Sequence, residues 1–398
     1  MSTTETNPTA QATQPDELTR RRDAIAISGW GAPFRFVQPH NACFWMYLVL
    51  VVAGLWTLVP MFAATAGVYA EANAAAIGTS AVFAAVFLFF LHRADRWEHT
   101  PGRLALAAFV IGGIGSTYAI ALPGNTALMS LYAKTFGQAW AQDWKAGLTA
   151  PFVEETAKGA AFLLLLGLAP VVIRTVYDGL IVGAYTGLGF QVFEDALYGQ
   201  NSAAEHFGTD QAQSVLATFA MRAITGIASH ALYTALFAAG LIYLIGTVAQ
   251  PRRSGRGLLL MLAAMLLHGV WDSAGALAGG TVLVFVVMIV TTVAAVVLLF
   301  VALRLGGGRE RMFLRDVLAP ELTNGTITEP ELHAVTGHRR DRRAALRRGT
   351  RGRTSRHREK HVLHAIRDLA EDLSRSGGED SPDVEHSRSE IARLQRQA

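Results

Sequence analysis

Cysteine is almost absent from this chain, which contains Cys43 and no other. A single cysteine excludes a disulfide within the chain and any metal site built from several cysteines. Charged residues are also scarce, at 17% of the sequence against roughly 25% in soluble domains. No cleavable signal peptide is evident, because residues 1–19 are polar and have the composition of a disordered tail.

The few charges are unevenly distributed, since residues 44–305 hold the long apolar runs and the two ends hold most of the arginines. A helix of about 20 apolar residues is long enough to cross a bilayer. We therefore predict an all-α polytopic membrane protein with about eight transmembrane helices and a polar C-terminal tail. The predicted spans are 44–68, 74–91, 104–122, 151–172, 176–198, 215–249, 257–277 and 281–303, with a loop over 123–150.

Arginine occurs in every second loop of this scheme. The arginine-bearing segments are 20–35, 93–103, 174 and 252–256. The alternate loops hold only Lys134 and Lys145 as basic residues. Because loops rich in Lys and Arg stay in the cytoplasm, we predict that both termini are cytoplasmic.

Composition divides the chain into a cytoplasmic N-terminal tail over 1–43, a transmembrane domain over 44–305 and a basic, partly disordered cytoplasmic tail over 306–398. Within the C-terminal tail, residues 339–360 include eleven Lys and Arg. Apolar residues at helical spacing predict a short amphipathic helix over 358–374. This tail is either simply solvated or in contact with anionic lipid head groups. It contains no motif for specific nucleic-acid binding.

Two adjacent carboxylates, Glu154 and Glu155, and a lysine, Lys158, begin the fourth predicted span. An ionisable group at mid-membrane costs about 2.5–3.5 kcal/mol, so such residues are candidates for function. On a helix, Lys158 lies three and four residues from the acids and contacts both. A plain helix start, with Pro151 in the first turn and acids near the positive dipole end, explains these residues about equally well.

Four further polar residues lie deep in later spans: Glu194, His230, His268 and Asp272. At about 1.5 Å of rise per residue, these residues and Glu154 lie about 16–30 Å from the cytoplasmic ends of their spans. We therefore expect them to share one polar layer. Taken singly, each also has a structural explanation: a helix-end acid, a packing histidine, or a buried hydrogen bond between His268 and Asp272 on one helix face.

Two histidines and a carboxylate can bind zinc and leave one position for water, and a second carboxylate can then act as general base. HExxH is absent, Asp178 and Asp272 lie at different depths, and Ser229 and Ser273 lack a nucleophile context. Metal-assisted hydrolysis is therefore the favoured chemistry. The alternatives are an ion-coupled transporter with a proton relay, although no internal repeat is evident, and a catalytically silent membrane scaffold on the same fold.

Three patterns together resemble the PrsW family of intramembrane metalloproteases, which is related to the type II CAAX prenyl proteases and Abi membrane proteins. They are EExxK at Glu154, Glu155 and Lys158, FxxxE at Phe190 and Glu194, and HxxxD at His268 and Asp272. The resemblance covers roughly residues 40–305. The family often has asparagine after the FxxxE glutamate, whereas this chain has Asp195, an acid that competes with Glu194 for a role in metal binding.

The resemblance implies catalytic roles for Glu154 or Glu155, which would activate water, and for Lys158, which would orient or neutralise the pair. The implied ligands of Zn²⁺ or another divalent metal are Glu194, His230 and His268, with Asp272 as a ligand or as support. The resemblance also implies a membrane-anchored protein substrate, such as an anti-sigma factor. Cleavage would occur on the extracytoplasmic side of the bacterial cell membrane.

Overall fold

The structure is a computed structural model that describes residues 16–226, 229–348 and 353–396, and these residues contain helices and no strand. In chain order the helical segments are α1 (Glu17–Ser28), α2 (Ala42–Thr65), α3 (Ala70–Ala94), α4 (Gly102–Val110), a π-helical segment (Ile111–Ala121), α5 (Leu122–Phe136), α6 (Gln138–Leu168), α7 (Val176–Glu205), α8 (Gln211–Gly226), α9 (Ser229–Ile245), α10 (Ser254–Asp272), α11 (Ala274–Leu277), α12 (Leu283–Thr323), α13 (Glu329–Thr336), α14 (Arg339–Arg348), α15 (Arg353–Arg375) and α16 (Pro382–Arg396). The chain forms two compact units. The core unit is Ala32–Glu310, and the terminal unit combines Met1–Gly31 with Arg311–Ala398.

Several core helices have the length and composition of membrane spans. Among the described residues, five pass by these two criteria: α2, α3, the continuous run Gly102–Phe136, α10 and α12. The number rises to six if α8 and α9 form one bent span. The predicted all-α architecture with several apolar spans is confirmed, whereas the count of eight spans and the cytoplasmic termini stay predictions.

The predicted loop over 123–150 is wrong, because α5 and α6 occupy it. Helix α6 begins at Gln138, so Pro151 lies inside the helix rather than in its first turn. This position removes the helix-start explanation of Glu154 and Glu155. Helix α6 packs closely against α10 just before Pro151. A Cβ on Gly269 of α10 would lie 2.9 Å from the carbonyl oxygen of Gly147 on α6.

Helix α7 packs against α9 through glycines that recur every fourth residue. A Cβ on Gly183 would lie 2.8 Å from the carbonyl oxygen of Thr234, and one on Gly187 would overlap that of His230. Small residues at these positions let two helix backbones approach closely. The contact at Gly187 brings the N-terminal turn of α9, which carries His230, against the middle of α7.

The π-helical segment lies between α4 and α5 and packs on α2, α6 and α7. Wider π-type turns inside helices occur frequently at functional sites. Here Tyr118 is fully buried, and its hydroxyl donates a hydrogen bond of 3.1 Å to the carbonyl oxygen of Phe193 on α7. This bond fixes the segment beside the residue that precedes Glu194.

The terminal unit is helical and has a buried charged group of its own. Arg21 and Arg388 donate hydrogen bonds of 2.8 Å and 2.7 Å to buried Glu321. Helix α15 confirms the amphipathic helix predicted over 358–374. Its buried apolar residues are Val362, Leu363, Ile366, Leu369 and Leu373. The units divide after Gly31 and Glu310, whereas composition changes after 43 and 305.

Candidate metal centre

Helix α6 supplies the centre of the site, because Glu154, Glu155 and Lys158 lie on one of its faces and are all buried. Lys158 Nζ lies 2.7 Å from Glu155 Oε1 and 3.8 Å from Glu154 Oε2. It also lies 4.3 Å from the centroid of the Phe190 ring. An isolated buried ammonium would be strongly unfavourable, so the two carboxylates are what make this lysine compatible with its surroundings.

Helices α9 and α10 bring two histidines to the same place. The buried rings of His230 and His268 have centroids 5.0 Å apart. Glu154 Oε2 lies 3.7 Å from His230 Nδ1 and 3.6 Å from His268 Nε2. These three side chains each offer one ligand atom within 4.8 Å of the others, and they form the one such group in the part of the chain that the structure describes.

A second carboxylate holds the far nitrogen of each ring. His268 Nδ1 donates to Glu155 Oε1 at 3.0 Å, and His230 Nε2 donates to Glu194 Oε2 at 2.9 Å. In metal sites, a carboxylate in this position fixes the tautomer and the orientation of a ligating histidine. Both rings are thus oriented with their remaining nitrogens near Glu154.

Arg222 of α8 contacts the two acids of α7. Its Nη2 donates to Glu194 Oε2 at 2.8 Å, and its Nε is bonded to Asp195 Oδ1. Asp195 therefore faces Arg222, and it is not a member of the group formed by Glu154, His230 and His268. The arginine neutralises one buried acid, Asp195, and one partly buried acid, Glu194, which would otherwise destabilise the fold.

Glu154 has one satisfied oxygen and one unsatisfied oxygen. Its Oε1 accepts a hydrogen bond of 2.9 Å from Asn125 Nδ2. Its Oε2 is buried and has no hydrogen-bond partner among the described residues. An unpaired buried carboxylate oxygen is costly, and a cation near it and the two ring nitrogens would remove that cost. The donor set of two imidazoles and one carboxylate therefore fits a divalent metal.

A family model described as PrsW family intramembrane metalloprotease matches residues 100–301, about half of the chain. The chain belongs to this family. It is accordingly a membrane metallopeptidase, which hydrolyses peptide bonds, as the resemblance predicted. No curated protein and no solved structure matches the chain. The matched segment contains Glu154, Glu155, Lys158, Glu194, His230, His268 and Asp272. Helices α1–α3 and the terminal unit lie outside it.

The residues that carry the PrsW patterns converge in three dimensions. The structure brings together all seven candidates, which are Glu154, Glu155, Lys158, Glu194, His230, His268 and Asp272. Asp272 lies at one side, with its Oδ2 3.4 Å from His268 Nε2. Its side chain is 16% exposed, compared with 3% for Glu154. Asp272 is therefore the candidate closest to solvent around His268.

Two residues of the PrsW site had no role in the sequence interpretation. Asn125 lay in the segment predicted as a loop, and the one signal for it is a lone amide directly after an apolar run. Arg222 lies within the predicted span 215–249. The signal for Arg222 was the cost of a charge in that span, which requires carboxylates such as Glu194 nearby.

Proposed function

We propose that this PrsW protein is a zinc-dependent endopeptidase of the bacterial cell membrane that cleaves membrane-anchored proteins, including regulators such as anti-sigma factors. The observation that carries the proposal is the convergence of His230, His268 and the unpaired oxygen of Glu154. Zinc is the metal that this donor set suits best, since its catalytic sites combine imidazole nitrogens with a carboxylate. The substrate class comes from the family resemblance.

In this proposal Glu154, His230 and His268 hold the metal. The resemblance instead implied Glu194 as a ligand and Glu154 or Glu155 as the residue that activates water. Glu194 already pairs with Arg222 and with the far nitrogen of His230, which favours a positioning role for it. When bound, the metal would polarise the scissile carbonyl group and acidify a water molecule. Asp272, the more exposed acid beside His268, would accept the proton of that water.

The surrounding residues position and neutralise this group. Glu155 orients His268, and Lys158 balances the charge of Glu155 and Glu154. Lys158 Nζ also donates a hydrogen bond of 3.1 Å to His230 Nδ1. Metal binding at His230 would replace this contact, so the ammonium acts as the cation of the site when the metal is absent.

Metal analysis of the detergent-purified full chain tests the proposal. The wild-type protein should contain about one divalent metal per chain and should cut synthetic single-span peptides, detected by mass spectrometry of the products. His268→Ala should lose both properties. His206→Ala, which changes an exposed histidine outside the cluster, should keep both. Wild-type protein without bound metal, or a metal content that His268→Ala leaves unchanged, would overturn the proposal.

Anionic lipid contact through the tail is a separate proposal. The apolar face of α15 is buried within the terminal unit, so the arginine-rich α14 is the segment suited to head groups. Six of its ten residues are arginines. Each basic residue near an anionic surface contributes about 1 kcal/mol. We measure binding of the full chain in nanodiscs to phosphatidylserine vesicles. Added salt and the double substitution Arg342→Ala/Arg343→Ala should each weaken this binding. Binding that neither of them changes would contradict the proposed lipid contact.

A further inference from the structure

A lateral groove of about 710 Å³ opens in the core unit between α2, α3, α4, the π-helical segment and α7. Two of its wall residues, Val59 of α2 and Ile77 of α3, are 58% and 60% exposed. Since α2 and α3 both have the composition of membrane spans, the groove faces the bilayer. Its remaining walls are mostly apolar.

Two polar atoms interrupt the apolar wall. Asn73 and Ser80 line the groove and are 9% and 6% exposed, and Asn73 Oδ1 and Ser80 Oγ have no hydrogen-bond partner among the described residues. The amide nitrogen of Asn73 donates to Thr65 Oγ1 at 3.3 Å, which leaves only its oxygen to receive a donor. The two residues are seven apart, so they lie on one face of α3, about 10 Å from each other.

The groove and the metal centre lie next to each other along α7, with Phe193 between them. Phe193 lines the groove, and the next residue of α7 is Glu194, which contacts His230. The Phe193 ring packs edge-on against Tyr118, with centroids 6.3 Å apart. Tyr118 also lines the groove. An occupant of the groove would thus lie one side chain away from the catalytic cluster.

The groove walls are suited to a helix backbone. They include several alanines, which are Ala63, Ala66, Ala81, Ala84 and Ala196. Small residues let a neighbouring helix approach closely in a membrane, where packing and hydrogen bonds, rather than hydrophobicity, drive association. A lipid acyl chain would also fill an apolar groove, but it carries no donor and would leave Asn73 Oδ1 unpaired, at a cost.

We propose that this groove binds the transmembrane helix of the protein substrate, and that Asn73 and Ser80 select helices with a hydrogen-bond donor at the matching depth. This inference rests on the proposed peptidase function and names how its substrate is recognised. The donor can be a Gln, Asn, Ser or Thr side chain. Interhelical hydrogen bonds in membranes average about 0.6 kcal/mol, which corresponds to about a threefold preference.

Disulfide crosslinking of the full chain in nanodiscs tests this assignment. In a Cys43→Ser background, Ile77→Cys places a thiol between Asn73 and Ser80 on the groove face, and Val82→Cys places one on a similarly exposed part of α3 that does not line the groove. The probe is a synthetic 24-residue Leu/Ala helix with Lys at its ends, one central Gln, and a cysteine four residues away. A second probe has Leu in place of Gln.

The Gln probe should crosslink to Ile77→Cys at least threefold more than to Val82→Cys, and about threefold more than the Leu probe does. Ser80→Ala should reduce the preference for Gln without destabilising the protein, because Ser80 Oγ has no partner to lose and Asn73 Oδ1 remains. Thr79→Ala, whose hydroxyl bonds within its own helix, should retain the preference. Asn73→Leu provides a second test at the other polar atom.

Equal crosslinking at both cysteines, or equal crosslinking of both probes, would overturn the inference and leave the groove as a lipid site. The experiment requires neither metal nor cleavage, and it is repeated in the His268→Ala protein. If the wild-type protein discriminates between the probes but contains no metal, the proposed peptidase chemistry is refuted and the groove assignment stands. Metal-dependent cleavage without discrimination would refute the groove alone.

Discussion

The imidazole rings of His230 and His268 meet nearly at right angles, at 83°, with their centroids 5.0 Å apart and a nitrogen of each within 3.7 Å of Glu154 Oε2. Two imidazoles in contact around one carboxylate oxygen gain little from each other. A shared cation explains the arrangement well, because it bonds all three donors at once. The predictions below separate the residues that would hold such a cation from those that position them.

Glu154 and Asp272 should differ in what their neutral variants lose. Glu154→Gln removes the charged oxygen shared by the two rings, so it should lose both metal and cleavage. Asp272→Asn should keep the metal and lose cleavage, because it removes a proton acceptor beside the site. Metal content and product formation from the single-span peptides are measured on the same preparations. If Glu154→Gln retains the metal and Asp272→Asn loses it, Asp272 is the ligand and Glu154 is the proton acceptor.

Glu155→Gln should weaken metal binding without removing it. The substitution reduces the bond that orients His268 and the ion pair with Lys158, and loss of such a carboxylate lowers metal affinity about 10- to 100-fold. Competition with a chelator of known affinity measures the change. Glu71→Gln alters an exposed glutamate at the start of α3 and serves as the matched control. An unchanged metal affinity in Glu155→Gln would show that His268 does not depend on this carboxylate.

Lys158→Met should destabilise the protein most when the metal is absent. The ammonium is then the cation next to Glu154, Glu155 and His230, and removing one partner of a buried ion pair costs about 3–5 kcal/mol. Lys158→Arg keeps the charge and should be less harmful. Thermal unfolding is followed in detergent with and without chelator. A Lys158→Met protein as stable as Lys158→Arg under chelation would contradict this role.

Asp195→Asn should be tolerated by the metal centre. Asp195 faces Arg222, and Glu194 remains to neutralise that arginine, so we expect a loss of only about 1–3 kcal/mol from the weakened charged hydrogen bond. The substitution also restores the residue that is usual in the family. Metal content and thermal stability are compared with those of wild type. Loss of the metal would make Asp195 a ligand and would exclude the purely structural role.

The orientation of the chain is tested by labelling. In a Cys43→Ser background, a cysteine at exposed Asn201 should react with an impermeant reagent added outside intact cells. A cysteine at exposed Glu385 in the terminal unit should react only after lysis. The expectation follows from arginine in alternate loops. The opposite pattern would place the termini outside and the metal centre towards the cytoplasm.

The sequence by itself determined the helical class, several of the apolar spans and the residues that carry the PrsW patterns. Each of these depends on local properties: hydropathy over a span, or spacing along one helix. Even the shared depth of Glu154, His230 and His268 follows from the rise per residue. The error over 123–150 arose because scattered polar residues there resemble a loop, while packing against α6 and the π-helical segment keeps the chain helical.

Only the tertiary structure decided which polar side chains are partners. The pairs of Glu155 with His268 and of Glu194 with His230 join different helices, and so do the contacts of Arg222 and Asn125. Such pairs depend on helix rotation and on close approaches at residues such as Gly187, which are set by packing between distant segments. The groove beside Phe193 exists for the same reason, since α2, α3, α4, the π-helical segment and α7 all contribute to its walls.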